Sequence, residues 1–266
     1  MNTKSLYAIL LALLLPLSAY FIVKYKSEAA TQMPRHYLPD SVIVKTKGGK
    51  QYIDTVWHTL PDFSLVDQMG DTMSWKSLHG KIVVADFFFT HCPTICPTLT
   101  HNMKRLQESI TNAQRVGDNT NRQIHFISFS IDPERDSVER LKYWANRFQI
   151  NPEQWSLLTG KKQVIYNMAI NEMKVGVEDG QGVDTNFFHT DHFVLIDSNH
   201  FVRGYYHGLD TASLAQLSND IVLLTLEKDP KEKSFFDGKL QLIAIVFLLA
   251  IVGVGLLLFV IRKKPH

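Results

Sequence analysis

The two cysteines of the chain, Cys92 and Cys96, lie four residues apart, directly after the apolar run of residues 82–89. The run has the length and composition of a buried strand, and the residues after Pro97 are typical of a helix. The pair is therefore predicted at a strand-to-helix turn, where free backbone N–H groups and the helix dipole favour thiolate over thiol. With this spacing both sulfurs can face one side of the first helical turns. Such a pair can form a disulfide, hold a soft metal or alternate between the two.

The region from residue 41 to 229 is long enough for one compact domain with its own core. Its pattern predicts a hairpin around Gly48 and Gly49, then alternating strands and helices, then a second hairpin and a last helix. The predicted strands of the alternating part and second hairpin are 82–89, 124–131, 155–158, 193–197 and 202–206, and the predicted helices are 94–115, 136–148, 161–173 and 211–227. Residues 136–139 resemble a capping box that opens the second helix. This order predicts an α/β, thioredoxin-like domain with an added N-terminal hairpin, its mixed sheet covered by helices.

Apolar segments flank this domain on both sides. Residues 1–26 have the length of a signal segment or a membrane anchor, and the absence of a convincing small-x-small cleavage site favours an uncleaved anchor. Residues 27–40 form a polar tether. Residues 239–261 carry no charge beyond Lys239 and are about long enough to cross a bilayer, which predicts a transmembrane helix.

The basic residues at the end of the chain indicate its orientation in the membrane. Arg262, Lys263 and Lys264 predict that the tail, residues 262–266, is cytoplasmic and that the domain lies on the outer, periplasmic face of the cytoplasmic membrane. Basic residues after the first apolar segment argue weakly for the opposite orientation. On the outer face a disulfide can persist.

The spacing of the cysteines and the charge of the chain limit the classes of function. A disulfide between residues this close would close a very short loop and add little stability, so the pair is predicted to serve chemistry. The formal net charge is +2, and basic residues form a run only beside the C-terminal apolar segment. Nucleic acid is therefore not an expected partner.

Thioredoxin-like disulfide exchangers place a cis-proline against their cysteines, just before the strand that begins here at Phe193. This chain has no proline between Pro152 and Pro230, and residues 187–192 present histidines at that place. A histidine there would add a nitrogen donor to two sulfurs. Such a set suits copper, because thiolates favour Cu(I) and imidazole also accommodates Cu(II). A zinc site of three protein ligands and a water remains an alternative.

The sequence resembles that of the Sco/SenC family of copper proteins. The similarity is carried by FTHCPTICP at residues 89–97, SIDPERD at 130–136, WSLLTG at 155–160 and the closing hairpin at 193–208. The resemblance covers nearly the whole domain. It implies one copper bound by two cysteines and a histidine, and a role in assembling the binuclear copper centre of cytochrome c oxidase subunit II. Copper delivery, reduction of the target's cysteines, or both would serve that role, and a copper donor or a thiol reductant would be a further partner.

The resemblance also bears on which histidine is the ligand. In the family the ligand is followed by Thr or Ser and, a few residues later, by an apolar strand. His189, followed by Thr190 and the strand at Phe193, fits this spacing. His192 abuts the strand and is the alternative. Cys92, Cys96 and His189 are therefore the expected ligands, for copper as Cu(I) or Cu(II).

Two other functions compete with copper handling. In a dedicated thiol–disulfide oxidoreductase, Cys92 would attack and Cys96 would resolve the mixed disulfide. A peroxidase is the weaker alternative, because the residues around Cys92 lack a clear peroxidatic pattern. Asp132 and Asp136 are predicted as loop and helix-cap residues, and the resemblance alone suggests that they position the cysteine loop.

Overall fold

The computed structural model describes residues 33–113, 123–175 and 190–227, together with Leu14, Ser18, Phe21 and Ile22. Within that part of the chain no helix is both long enough and apolar enough to cross a membrane. The predicted transmembrane helix at 239–261 and most of the segment at 1–26 lie outside the described residues, as does the candidate ligand His189.

A two-stranded antiparallel hairpin opens the domain, as predicted. It consists of β1 (Pro39–Lys47) and β2 (Lys50–Trp57). Gly48 and Gly49 form its turn with φ angles of 59° and 77°, a left-handed conformation that glycine adopts without a steric penalty. A second, smaller hairpin follows, of β3 (Leu65–Val66) and β4 (Thr72–Met73), with a 3₁₀ turn at Trp75–Leu78.

The central sheet has five strands and is mixed, which confirms the predicted architecture. Its strands are β5 (Ile82–Phe88), β6 (Ile124–Ser130), β7 (Trp155–Leu158), β8 (His192–Ile196) and β9 (Val202–His207). They lie in the order β7-β6-β5-β8-β9. The strands β5, β6 and β7 are parallel, whereas β8 runs antiparallel to both β5 and β9.

Helices cover both faces of this sheet. They are α1 (Ile95–Ala113), α2 (Val138–Arg147), α3 (Lys162–Tyr166), which continues as a π-helical turn (Asn167–Glu172), and α4 (Thr211–Leu226). The apolar residues of α1, α2 and α4 pack on one face, and those of α3 and the π-helical turn pack on the other. The predicted helices are confirmed, with bounds that differ by at most two residues where they are described.

The central strand β5 explains where the cysteines lie. All seven of its residues are buried. Because side chains alternate along a strand, Val84 and Phe88 enter the layer beneath α1, whereas Val83 and Phe87 enter the opposite layer. The chain leaves β5 at the carboxyl end of the three parallel strands, the edge at which open α/β sheets place their sites.

The capping box predicted at the start of α2 places the N-cap one residue too early. Ser137, not Asp136, is the N-cap, and its hydroxyl accepts a hydrogen bond from the Arg140 N–H. The Ser137 hydroxyl also donates to the exposed Glu139 carboxylate at 2.8 Å. The Asp136 side chain turns inward instead, because its hydrogen-bond donors lie in the loop after β5 and at the end of β6.

Candidate metal and thiol site

The two cysteines meet at the N-terminus of α1. Cys92 lies in the loop before the helix, and Cys96 is its second residue. The Cys96 backbone N–H donates to Cys92 Sγ at 3.5 Å, and Thr94 Oγ1 lies 3.8 Å from the same sulfur. The two cysteines are not joined by a disulfide in this structure, and they are only 5% and 2% exposed. The predicted juxtaposition of the two sulfurs is therefore present, in a site largely shielded from water.

Hydrogen bonding makes the two thiols unequal. The Cys96 thiol and the backbone N–H groups of Cys96 and Thr94 stabilise the Cys92 thiolate, which lowers the pKa of Cys92 to about 4 despite its burial. In Cys96 the hydrogen bond to Cys92, together with burial, raises the pKa far above that of an ordinary thiol. At neutral pH the pair therefore carries one negative charge, centred on Cys92, with the remaining proton on Cys96.

A buried carboxylate holds the start of the cysteine loop. Asp136 is 0% exposed and accepts hydrogen bonds from the Thr90 N–H at 3.1 Å, from the Thr90 hydroxyl and from the Ser130 hydroxyl at 2.6 Å. Arg140 Nε donates to the Thr90 hydroxyl at 3.2 Å. These contacts fix Thr90 two residues before Cys92. They support a positioning role for Asp136.

A second buried acid, Asp86, lies in the middle of β5, on the face that also carries Cys92 and Cys96. It is 2% exposed, and its Oδ1 has no hydrogen-bond partner among the described residues. Burial raises the pKa of Asp86 to about 7, although a hydrogen bond with Ser128 opposes the shift. A negative charge on Asp86 also contributes to raising the pKa of Cys96. The sequence interpretation did not single out Asp86; its signal was a lone acid within an otherwise apolar strand.

The histidine side of the predicted site lies at the beginning of β8. Ala85 pairs with Val194, so the first residues of β8 lie beside the end of β5 from which the cysteine loop departs. The described chain resumes at Thr190, directly after His189. Sheet pairing therefore brings the segment that follows His189 to the correct edge of the sheet.

The alternative ligand, His192, belongs to a hydrogen-bonded group with Asp191 and His207. His192 Nδ1 lies 2.8 Å from one oxygen of Asp191, and His207 Nε2 lies 2.8 Å from the other. The Leu209 N–H donates to His207 Nδ1 at 3.3 Å, which places the His207 proton on Nε2. Since Asp191 orients His192 through Nδ1, Nε2 is the nitrogen of His192 through which it would bind a metal.

The described residues bring the two cysteines together, but they do not complete a metal site. Among them, no group of three or more Cys, His, Asp and Glu side chains is placed to hold a metal ion. His192 thus does not join the cysteine pair in this arrangement. His91, next to Cys92, has a side chain that is 41% exposed, and its Nδ1 lies 3.2 Å from the Thr90 hydroxyl. Met103, on α1, is fully buried in the core beneath that helix.

The fold and the site together define a thioredoxin-like protein with a buried pair of unequal thiols at the start of its first long helix. The SCO1/SenC family model matches residues 54–223, and the chain belongs to that family. A curated relative, the SCO1 protein homolog of Bacillus subtilis, is 31% identical over 175 residues, which cover 65% of this chain and 86% of the relative.

Solved structures of the same family share the fold. A SCO1/SenC family lipoprotein from Bacillus anthracis is 32% identical and superposes with a TM-score of 0.55, covering 64% of this chain and 95% of that one. BsSco is 29% identical with a TM-score of 0.55, covering 65% and 96% of the two chains. BsSco is described as a member of the Sco family of cytochrome c oxidase assembly proteins in which a disulfide switch was identified.

Proposed function

We propose that the protein is a membrane-anchored copper chaperone that assembles the binuclear copper centre of cytochrome c oxidase. One copper ion, its cargo, is bound by Cys92, Cys96 and His189. The observation that carries this proposal is the pair of buried, adjacent thiols, of which Cys92 has a pKa of about 4. Membership of the Sco family and the description of BsSco as an oxidase assembly protein support the choice of target.

The donor chemistry favours copper over harder metals. Thiolates are soft ligands that select Cu(I), and an imidazole lets the same site accommodate Cu(II). A metal displaces the thiol proton of Cys96, while Cys92 is already ionised at neutral pH. The ion thus replaces a proton shared between two sulfurs, and the low exposure of the pair keeps water away from the bound ion.

Transfer proceeds by exchange of ligands. A thiolate of the target, which we expect to be oxidase subunit II, binds the copper ion as one of the two cysteines releases it, and a second exchange completes the transfer. Once both cysteines have left the metal, Cys96 takes up one of the protons that the target's thiols release and again donates to the Cys92 thiolate, which stabilises the empty chaperone. Anchoring in the membrane confines the search for a membrane-bound target to two dimensions.

Anaerobic copper titration of the reduced full-length chain in detergent tests the proposal. We expect one tightly bound copper per chain, and loss of tight binding in Cys92→Ser and in Cys96→Ser. Ser109→Ala, in the distal part of α1, serves as a control that keeps both thiols. Weak surface binding alone, with the same stoichiometry in wild type and Cys92→Ser, contradicts the proposal.

A second candidate function is supported by the unequal pKa values of the two thiols. The Cys92 thiolate would attack a target disulfide, forming a mixed disulfide and releasing one target thiolate. Cys96 would then lose its proton and attack Cys92 Sγ, which forms the Cys92–Cys96 disulfide and releases the second target thiol. A thiol reductant would regenerate the pair.

One experiment distinguishes the copper chaperone from the thiol–disulfide oxidoreductase. A disulfide-bonded peptide with the target's pair of cysteines is added to the copper-free reduced protein, and its reduction is followed by mass. Reduction by wild type, accumulation of a mixed disulfide in Cys96→Ser, and absence of tight copper binding would establish the oxidoreductase alone. Tight copper binding without peptide reduction would leave the chaperone alone.

The location on the outer face of the cytoplasmic membrane is also part of the proposal, because the basic tail at residues 262–266 favours it. Protease added to spheroplasts should cleave the domain while a tag fused after His266 stays protected. Protection of the domain in intact spheroplasts, with cleavage only after lysis, contradicts this orientation.

A further inference from the structure

The outer part of the β1–β2 hairpin presents an apolar surface to solvent. Every described side chain from Ser41 to Ile53 is exposed. Val42, Val44 and Ile53 are 62%, 65% and 74% exposed, and they share one face because Val44 pairs directly with Ile53. A two-stranded ribbon is marginally stable alone in water, so three exposed β-branched residues on one face indicate a surface that is covered in use.

The base of this hairpin is firmly attached to the domain. The Tyr37 N–H donates to the Val202 carbonyl at 2.9 Å, and the Leu60 N–H donates to the His200 carbonyl at 3.1 Å. The His58 ring lies between Asp40 and Glu172, at 3.0 and 2.9 Å. The hairpin is thus held in place at its base while its outer half projects, as a rigid docking element requires.

The charges at the tip indicate what covers it. Residues 41–56 contain three lysines and one aspartate. That aspartate, Asp54, pairs with Lys45. Lys47 and Lys50 are register partners across the turn, and strand alternation puts the lysine positions on the face opposite Val44 and Ile53. A ribbon with one β-branched apolar face and lysines at the positions of the other complements a membrane surface with anionic headgroups, where apolar side chains enter the interface and lysines remain at the phosphates.

We propose that residues 41–53 dock on the anionic surface of the membrane that anchors the chain. The proposal rests on the membrane attachment proposed above and is independent of copper. Pro34 and Tyr37 are already hydrogen-bonded to the domain, so only residues 27–33, which span at most about 25 Å when extended, separate the base of the hairpin from the first apolar segment. Its tip is therefore confined near the bilayer, where even weak interfacial affinity is effective.

The position of the hairpin makes such docking compatible with the cysteine site. The hairpin base joins the sheet where β8 ends and β9 begins, through His200 and Val202. Since β8 is antiparallel to β5, this is the edge opposite the one at which Cys92 lies. The two edges are about 23 Å apart along a seven-residue strand. A docked hairpin thus leaves the cysteine pair uncovered for a partner.

Tryptophan fluorescence of the full-length chain in proteoliposomes tests this proposal. Ile53→Trp places a reporter on the apolar face, and Tyr143→Trp places one at a 60% exposed site of α2. Emission of each variant is compared with the parent chain in vesicles with or without brominated acyl chains. We expect brominated lipid to quench the added emission of Ile53→Trp, and to leave that of Tyr143→Trp unchanged. Lys47→Glu/Lys50→Glu should weaken the quenching in anionic vesicles, as should added salt.

Several outcomes overturn the proposal. Equal quenching at both sites, or none at Ile53→Trp, contradicts docking of this surface. A blue shift at Ile53→Trp that grows with protein density, without quenching, shows that a second copy covers it instead. Loss of the protein from vesicles after an alkaline wash refutes the membrane attachment and the docking with it. Copper stoichiometry is measured on the same samples, so failure of the chaperone function is a separate result.

Discussion

Thr90 and Asp136 lie 46 residues apart in the sequence and are joined by two hydrogen bonds, one from the Thr90 N–H and one from its hydroxyl. Asp136 belongs to the loop before α2, whereas Thr90 begins the cysteine loop. The contact ties the segment after β6 to the segment after β5. The cysteine loop therefore depends on a residue that is remote in sequence and does not touch either sulfur in the contacts described.

Replacing this carboxylate should loosen the loop. In Asp136→Asn, an NH₂ group replaces one of the two carboxylate oxygens that accept hydrogen bonds in the wild type. A donor then faces a donor, so we expect the free energy of unfolding to fall by about 2–3 kcal/mol. Urea denaturation of the thioredoxin-like domain measures this loss, and copper titration of the same variant should show weaker binding. Glu153→Gln, at an exposed position in the loop before β7, is the matched control. If both variants unfold at the same urea concentration as wild type, Asp136 does not hold the loop.

The inequality of the thiols can be measured by ultraviolet absorbance of the thiolate. In the reduced wild type we expect one thiolate per chain at pH 6, titrating with a pKa of about 4. Cys96→Ala removes the leading donor, so the pKa of Cys92 should rise toward the ordinary value of about 8.5 and the absorbance at pH 6 should fall. Thr94→Ala removes a longer contact and should have a smaller effect. An unchanged titration in Cys96→Ala would show that the backbone N–H groups alone stabilise the thiolate.

Because Asp86 is buried, the free energy of unfolding should depend on pH. The pKa of Asp86 is about 7 in the folded protein and about 3.9 in an unfolded chain. The folded state therefore holds the proton more tightly, and wild type loses stability as pH rises from about 4 to about 7. Asp86→Asn should match wild type near pH 4 and be more stable above pH 8, by on the order of 4 kcal/mol. Urea unfolding at both pH values measures the difference, and a difference independent of pH refutes the assignment.

The two candidate histidines make opposite predictions for copper. With His189 as the ligand, His189→Ala should weaken Cu(II) far more than Cu(I), because two thiolates can hold Cu(I) alone. His192→Ala should then change both affinities little, since that ring is bound to Asp191. Competition titrations in both oxidation states measure this. A selective loss of Cu(II) in His192→Ala would instead make His192 the ligand, and equal losses of both ions in His189→Ala would contradict the proposed role of the histidine.

Much of the domain could be predicted because its signals are local. The apolar run at β5, the helix that begins at Ile95 and the hairpin of β8 and β9 are each encoded by periodicity and turn residues within a short window. The juxtaposition of Cys92 and Cys96 follows in the same way, because four residues at a helix start suffice to bring two side chains together.

The parts that the sequence did not predict depend on distant partners. Asp136 resembles a helix cap until Thr90 and Ser130 are placed beside it, and only the sheet brings them there. The π-helical turn at Asn167–Glu172 continues α3 without a distinct sequence signal. Asp86 departs from the apolar pattern of its strand. A lone acid in a buried strand that leads to a pair of thiols indicates a role near those thiols.

The pairing of β5 with β8 has a consequence for the order of events during biogenesis. Cys92 and Cys96 lie within about 14 Å of each other in any conformation of the chain, so an unfolded chain already offers both sulfurs to a metal. The segment that carries the histidines reaches them only when β8 has paired with β5, about 100 residues further along the chain. Two-coordinate capture can therefore precede folding, whereas the proposed set of three donors becomes available only after the central sheet has closed.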